Sequence, residues 1–76
     1  MVFQVLNKLK WTGKIGEAKI IILHRGAPEN KKTVYGKNIK ELKKSYFIYK
    51  NKEETFIPLH RVLEVWVKNR LVWKKS

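Results

Sequence analysis

Ile57-Pro58-Leu59-His60-Arg61-Val62-Leu63-Glu64-Val65-Trp66-Val67 satisfies two incompatible periodicities. Leu59, Val62, Leu63, Trp66 and Val67 fall on one helical stripe, with Pro58 suited to a first helical turn. Against that, Val62, Val65 and Val67 are β-branched, and Asn69-Arg70 stands between this run and Leu71-Val72-Trp73 where a two-residue hairpin loop belongs. The strand reading makes the end of the chain an antiparallel hairpin. It also puts His60-Arg61 at the mouth of a strand, just after Pro58. An upstream echo, Ile20-Ile21-Ile22-Leu23-His24-Arg25-Gly26, places a second His-Arg pair where an apolar run ends.

The rest of the chain arranges itself around these two runs. Val2, Phe3, Val5, Leu6 and Leu9 recur at helical spacing and predict a short amphipathic helix whose apolar stripe closes one side of a sheet. Trp11 follows as an expected core plug, and Gly13 and Gly16 punctuate a turn. Glu17 to Arg25 reads as a strand, and its run of four apolar residues suits a central position. Gly26 to Lys32 is a polar loop, Thr33 to Gly36 a brief strand, and Asn38 to Leu42 one helical turn capped by Asn38. Ser45 to Lys50 and Thr55 to Ile57 form a hairpin around the polar turn Asn51 to Glu54. The tail Lys74-Lys75-Ser76 reads as frayed. The predicted architecture is α+β, with a short N-terminal helix packed on a curved, mostly antiparallel sheet or partial barrel of four to six strands.

Composition narrows the function classes. Seventy-six residues make one domain, 1-76, with a thin interior. With no Cys and only two His, no disulfide framework, thiolate zinc site or closed structural metal site is expected, and no cofactor is called for. Apolar runs are far too short for a bilayer span, and residues 1 to 10 lack the pattern of a signal peptide, so a cytoplasmic protein is expected. A formal net charge of +12 points to a polyanionic partner such as nucleic acid or a membrane surface, nucleic acid first. Heat adaptation raises Lys and Glu together, and six acids against eighteen bases leave that imbalance unexplained. Bases are spread over both halves of the chain, so the folded surface itself carries the charge.

Fifteen Lys accompany only three Arg, and two of those Arg directly follow the only two His. Arg is favoured where a planar fork must grip a phosphate or carboxylate at two points, whereas Lys acts as a point charge. Neighbouring side chains on a strand face opposite ways, so a His-Arg pair serves one ligand only where the strand ends or bulges. Gly26 and Pro58 supply such ends, and adjacent strands carrying both junctions at the same end would gather His24, Arg25, His60 and Arg61 around one phosphate. A structural alternative stays open, in which each His bonds nearby backbone and Arg61 pairs with Glu64. Among the aromatics, Phe47, Phe56 and Trp73 are expected in the core. Trp66 shares a strand face with Glu64 and Lys68, is the tryptophan least committed to burial, and is a candidate platform for stacking a nucleic-acid base.

Val5-Leu6-Asn7-Lys8-Leu9-Lys10-Trp11, His24-Arg25-Gly26-Ala27-Pro28, Ile57-Pro58-Leu59-His60-Arg61-Val62 and Val72-Trp73 resemble, in order and spacing, the small archaeal proteins grouped as domain of unknown function 504, or uncharacterised protein family 0248. The resemblance covers nearly the whole chain. It implies recognition of RNA ends bearing a cyclic phosphate, in RNA repair or processing, with His24, Arg25, His60 and Arg61 in the end-binding role. Protein partners in RNA processing are possible on this reading.

Three readings therefore stand. The first is an RNA-binding module that holds a terminal 2′,3′-cyclic phosphate. The second is a metal-independent phosphodiesterase or ribonuclease with His24 and His60 as general base and acid. Against it, the His-x-Thr or His-x-Ser repeats of two-histidine phosphoesterases are missing. The third is a basic accessory protein for structured RNA, with no preference among ends.

Overall fold

In the computed structural model, which describes residues 2–75, one helix and seven strands enclose a shared core. The helix α1 (Val2–Trp11) buries Val2, Leu6 and Leu9, the stripe its spacing predicts. It stops in a Schellman arrangement: Gly13 takes φ +75°, the Lys14 N–H donates to the Leu9 carbonyl (2.9 Å) and the Gly13 N–H to that of Lys10 (3.3 Å). The Thr12 hydroxyl donates to the Lys8 carbonyl at 2.9 Å, satisfying another group at the helix end. Trp11 lies beyond the buried stripe and is 82% exposed, so it is not a core plug. Leu9 already fills the buried end of the helix, and the next turn faces solvent.

The strands are β1 (Ala18–Leu23), β2 (Lys31–Tyr35), β3 (Ile39–Leu42), β4 (Tyr46–Lys50), β5 (Glu54–Pro58), β6 (Val62–Val67) and β7 (Arg70–Lys74). They form two antiparallel sheets, ordered β2-β1-β6-β7 and β3-β4-β5, instead of one sheet of four to six strands. The segment expected as an Asn38-capped helical turn is the added strand. Ile39 pairs with Tyr49 and Leu42 with Phe47, and these cross-strand contacts outweigh a weak local helical preference. Asn38 instead ends a short 3-10 turn, Gly36–Asn38.

Residues 57–67 resolve as strand plus turn. Leu59–Arg61 is a 3-10 turn, and β6 runs from Val62. The hairpin loop to β7 is Lys68-Asn69, one position earlier than Asn69-Arg70. Both loop residues have positive φ (49° and 66°), as a two-residue turn of the primed type requires, and Arg70 already pairs with Val67.

The core unites α1 with the inner faces of both sheets. Leu6, Ile20, Ile22, Phe47, Val62 and Val65 are fully buried, each worth roughly 1.5–3 kcal/mol by transfer from water. Phe47 is core and Trp73 packs against it, but Phe56 is 59% exposed and stacks on Tyr46 with ring centroids 5.4 Å apart. Tyr49 is buried, and its hydroxyl receives a hydrogen bond from Lys32 Nζ at 3.1 Å, which ties β2 to β4. β1 is central between β2 and β6, as its apolar run predicts, yet only one face is buried: Lys19 and Leu23 are exposed and Ile21 half-buried.

Candidate functional site

β1 leaves its sheet after Leu23, and the following loop closes on itself. The His24 N–H donates to the Asn30 carbonyl (2.8 Å), and the Asn30 N–H to that of Ala27 (2.8 Å). Gly26 has φ +92°, a conformation that costs residues with a Cβ, within the turn that follows the strand. On the neighbouring strand, buried Leu59 anchors the turn that carries His60 and Arg61, and its N–H donates to the Ser45 carbonyl at 2.9 Å.

β1 and β6 are antiparallel, with Ile22 opposite Val62. The end of β1 therefore lies beside the start of β6, and the two His-Arg pairs emerge at the same end of adjacent strands. Ile21 pairs with Glu64 and Ile22 with Val62, which leaves Leu63 as an extra, bulged residue next to that junction. His24, Arg25, His60 and Arg61 are all exposed. Among the described residues the ion pairs are Lys40 with Glu54 and Lys68 with Glu17, so neither Arg25 nor Arg61 is engaged by a carboxylate. Glu64, the partner the sequence offers Arg61, accepts instead from Trp66 Nε1 at 2.8 Å.

Two further cations reach this end and escaped the sequence reading. The Lys75 N–H donates to the Leu63 carbonyl (2.8 Å) and its Nζ to the His60 carbonyl (2.6 Å), so the expected frayed tail is strapped down through residue 75. Ser76, the remainder of that tail, lies outside the described residues. Lys31 sits opposite Leu23, at the start of β2. No local motif marks either lysine; only the register brings them here.

Trp66 lies farther down the same sheet, on its outer face. It is half-buried, and the bond to Glu64 orients its indole, so Trp11 and not Trp66 is the most exposed of the three tryptophans. A groove of about 570 Å³ lies elsewhere, between α1 and β7. Its floor is Val5, Leu9, Val67 and Val72 and its rim Lys8, Lys14, Lys68 and Arg70, at the opposite end of β6 from His60. The His-Arg junction is open surface, not part of that groove.

Two Arg, two Lys and two imidazoles are thus exposed at one end of the four-stranded sheet, which sets the class as a basic α+β domain with its cations at that end free of carboxylates among the described residues. Sequence comparison gives this class its family. The family model of the MJ1316 RNA cyclic group end recognition domain matches residues 1–75. UPF0248 protein MJ1316 of Methanocaldococcus jannaschii is 42% identical over 80 aligned positions, covering 100% of this chain and 95% of the relative. A UPF0248 protein of Methanococcus vannielii is 40% identical over 67 positions, covering 86% of this chain and 77% of its own. One from Saccharolobus islandicus is 34% identical over 74 positions, covering 92% of each. No solved structure matches the chain. The protein belongs to the UPF0248 family, whose domain carries the MJ1316 description.

Proposed function

We propose that this chain is an RNA-binding module that holds a terminal 2′,3′-cyclic phosphate, in RNA repair or processing. The observation that carries the reading is the pairing of Ile22 with Val62, which ranges both His-Arg junctions side by side. A cyclic phosphate has one negative charge and two exposed oxygens. A guanidinium fork bridges two such oxygens while an imidazole N–H donates to one of them, which is why Arg and His suit this end better than Lys alone. The cyclic-group description of the family points the same way. Lys31 and Lys75 add charge to the same rim, and Trp66 lies on the sheet face along which the adjoining strand would run.

Matched oligoribonucleotides ending in cyclic phosphate, 3′-phosphate or free hydroxyl, titrated at two salt concentrations, test this. Preference for the cyclic end that is lost in Arg25→Ala and in Arg61→Ala is the expected result. Equal, steeply salt-dependent affinity for all three ends would leave an accessory protein that recognises charge alone. Turnover of the cyclic end that disappears in His24→Ala and His60→Ala would instead make the same residues a catalytic pair.

A further inference from the structure

The outer face of the four-stranded sheet carries an ordered set of side chains. Register puts Tyr35, Lys19, Trp66 and Leu71 in one row across β2, β1, β6 and β7. Thr33, Ile21, Glu64 and Lys74 form the next row, and Lys31 and Leu23 a third, beside the His-Arg junction. None of these side chains belongs to the buried core; at the β2 edge Thr33 and Tyr35 also line an open groove shared with the β4–β5 hairpin.

We propose that this face is a track for single-stranded RNA, with Tyr35 and Trp66 each stacking one base and Lys19 between them holding the linking phosphate. The anchor point rests on the end-binding reading above; the track itself rests on the rows. Tyr35 is 46% exposed, and Lys37 Nζ lies 5.9 Å from its ring centroid, where it can also meet a phosphate. The Trp66 indole is oriented in advance by Glu64, so it loses little freedom on binding. Glu64 is the one acid among these rows and is already hydrogen-bonded, while Lys19, Lys31 and Lys74 leave the face net positive. Charge therefore selects a polyanion, and the exposed Tyr35 ring with the half-buried Trp66 indole selects one with flat bases, favouring an unpaired strand over a duplex.

The rows also set a length. Tyr35 and Trp66 sit two strands apart, on the order of 10 Å, too far to share one base. From Leu23 to Lys19 along β1 is about 13 Å. At a stacked rise of ~3.4 Å, the roughly 13 Å along β1 and the roughly 10 Å across to the second ring would take about seven nucleotides; bases that leave their stack for the side chains span more each, so the track takes fewer, on the order of four.

The test uses oligoribonucleotides of one to eight nucleotides, in two series ending in cyclic phosphate or free hydroxyl, against the full chain and Tyr35→Ala, Tyr35→Phe and Lys19→Gln. Affinity is expected to climb up to about four nucleotides and then level off. Tyr35→Ala should lose about tenfold for the longer oligomers and nothing for the mononucleotide, and Tyr35→Phe should keep the native affinity. Lys19→Gln, at an exposed position, should weaken the longer oligomers without unfolding the chain. Affinity that does not depend on length, or that Tyr35→Ala and Lys19→Gln leave untouched, overturns the track and frees the face for a protein partner. A length dependence equal in both series keeps the track and removes the end preference, so the two readings fail separately.

Discussion

Gly36 is the glycine with the least room around it. A Cβ at this position would stand 1.9 Å from the Ile15 carbonyl oxygen and 3.1 Å from the Ala18 Cβ, because the 3-10 turns Ile15–Glu17 and Gly36–Asn38 cross there backbone to backbone. Gly36→Ala must push those turns apart, and a loss of about 1–3 kcal/mol is expected in urea unfolding, the scale of an overpacked core. Trp11→Ala makes the contrast. At 82% exposure it should stay within about 0.5 kcal/mol of the parent protein in the same measurement, whereas a larger loss would mean that Trp11 packs on something this fold does not show. The two substitutions invert a naive ranking by size, since space around the residue decides the outcome.

Among the elements, the sheet β3-β4-β5 carries a bulge and an exposed ion pair. Lys40 is the extra residue between Ile39 and Glu41, and its ammonium bonds the Glu54 carboxylate on β5. That hydrogen bond, and behind it the charge of Lys40, holds the Glu54 carboxyl below its ordinary value, while the same contact raises Lys40. A lowered carboxyl stabilises the fold above its unfolded value and loses that contribution as pH falls through the folded one. The raised ammonium contributes below its unfolded value and loses it as pH rises through the folded one. The pair is therefore intact at neutral pH, yet solvent screens both ends. Glu54→Gln should leave the neutral Tm nearly unchanged and only flatten the acid limb of its pH profile. A large drop at neutral pH would show that the bulge depends on the bond.

For the whole molecule, charge sets how RNA binding responds to salt. A net charge of +12 spread over both sheets makes the affinity electrostatic in large part, and log Kobs should fall linearly with log salt. With about four phosphates neutralised, the slope for a single strand is roughly −3, and removing one contacting cation, as in Arg25→Ala, should shallow it by about 0.7. Arg70→Ala, at the rim of the groove far from the junction, should leave the slope alone. An equal change in both would mean that the protein binds RNA through its overall field instead of one face.

Local physics made part of this legible. The stripe Val2-Leu6-Leu9, the hairpin between β4 and β5, the polar loop after Gly26 and the choice of Arg beside each His can be read from the chain, because periodicity, turn residues and side-chain chemistry are carried by neighbours in sequence. Tertiary structure decided that Ile39–Leu42 is a strand, that Phe56 and Trp11 face solvent, and that the strands divide into two sheets. It also decided that Ile22 meets Val62, that Lys75 reaches the His60 carbonyl, and that Tyr35, Lys19 and Trp66 share a row. Each of these depends on register between segments distant in the chain, and a strand's register is set by its partner and by the core it covers, not by its own residues.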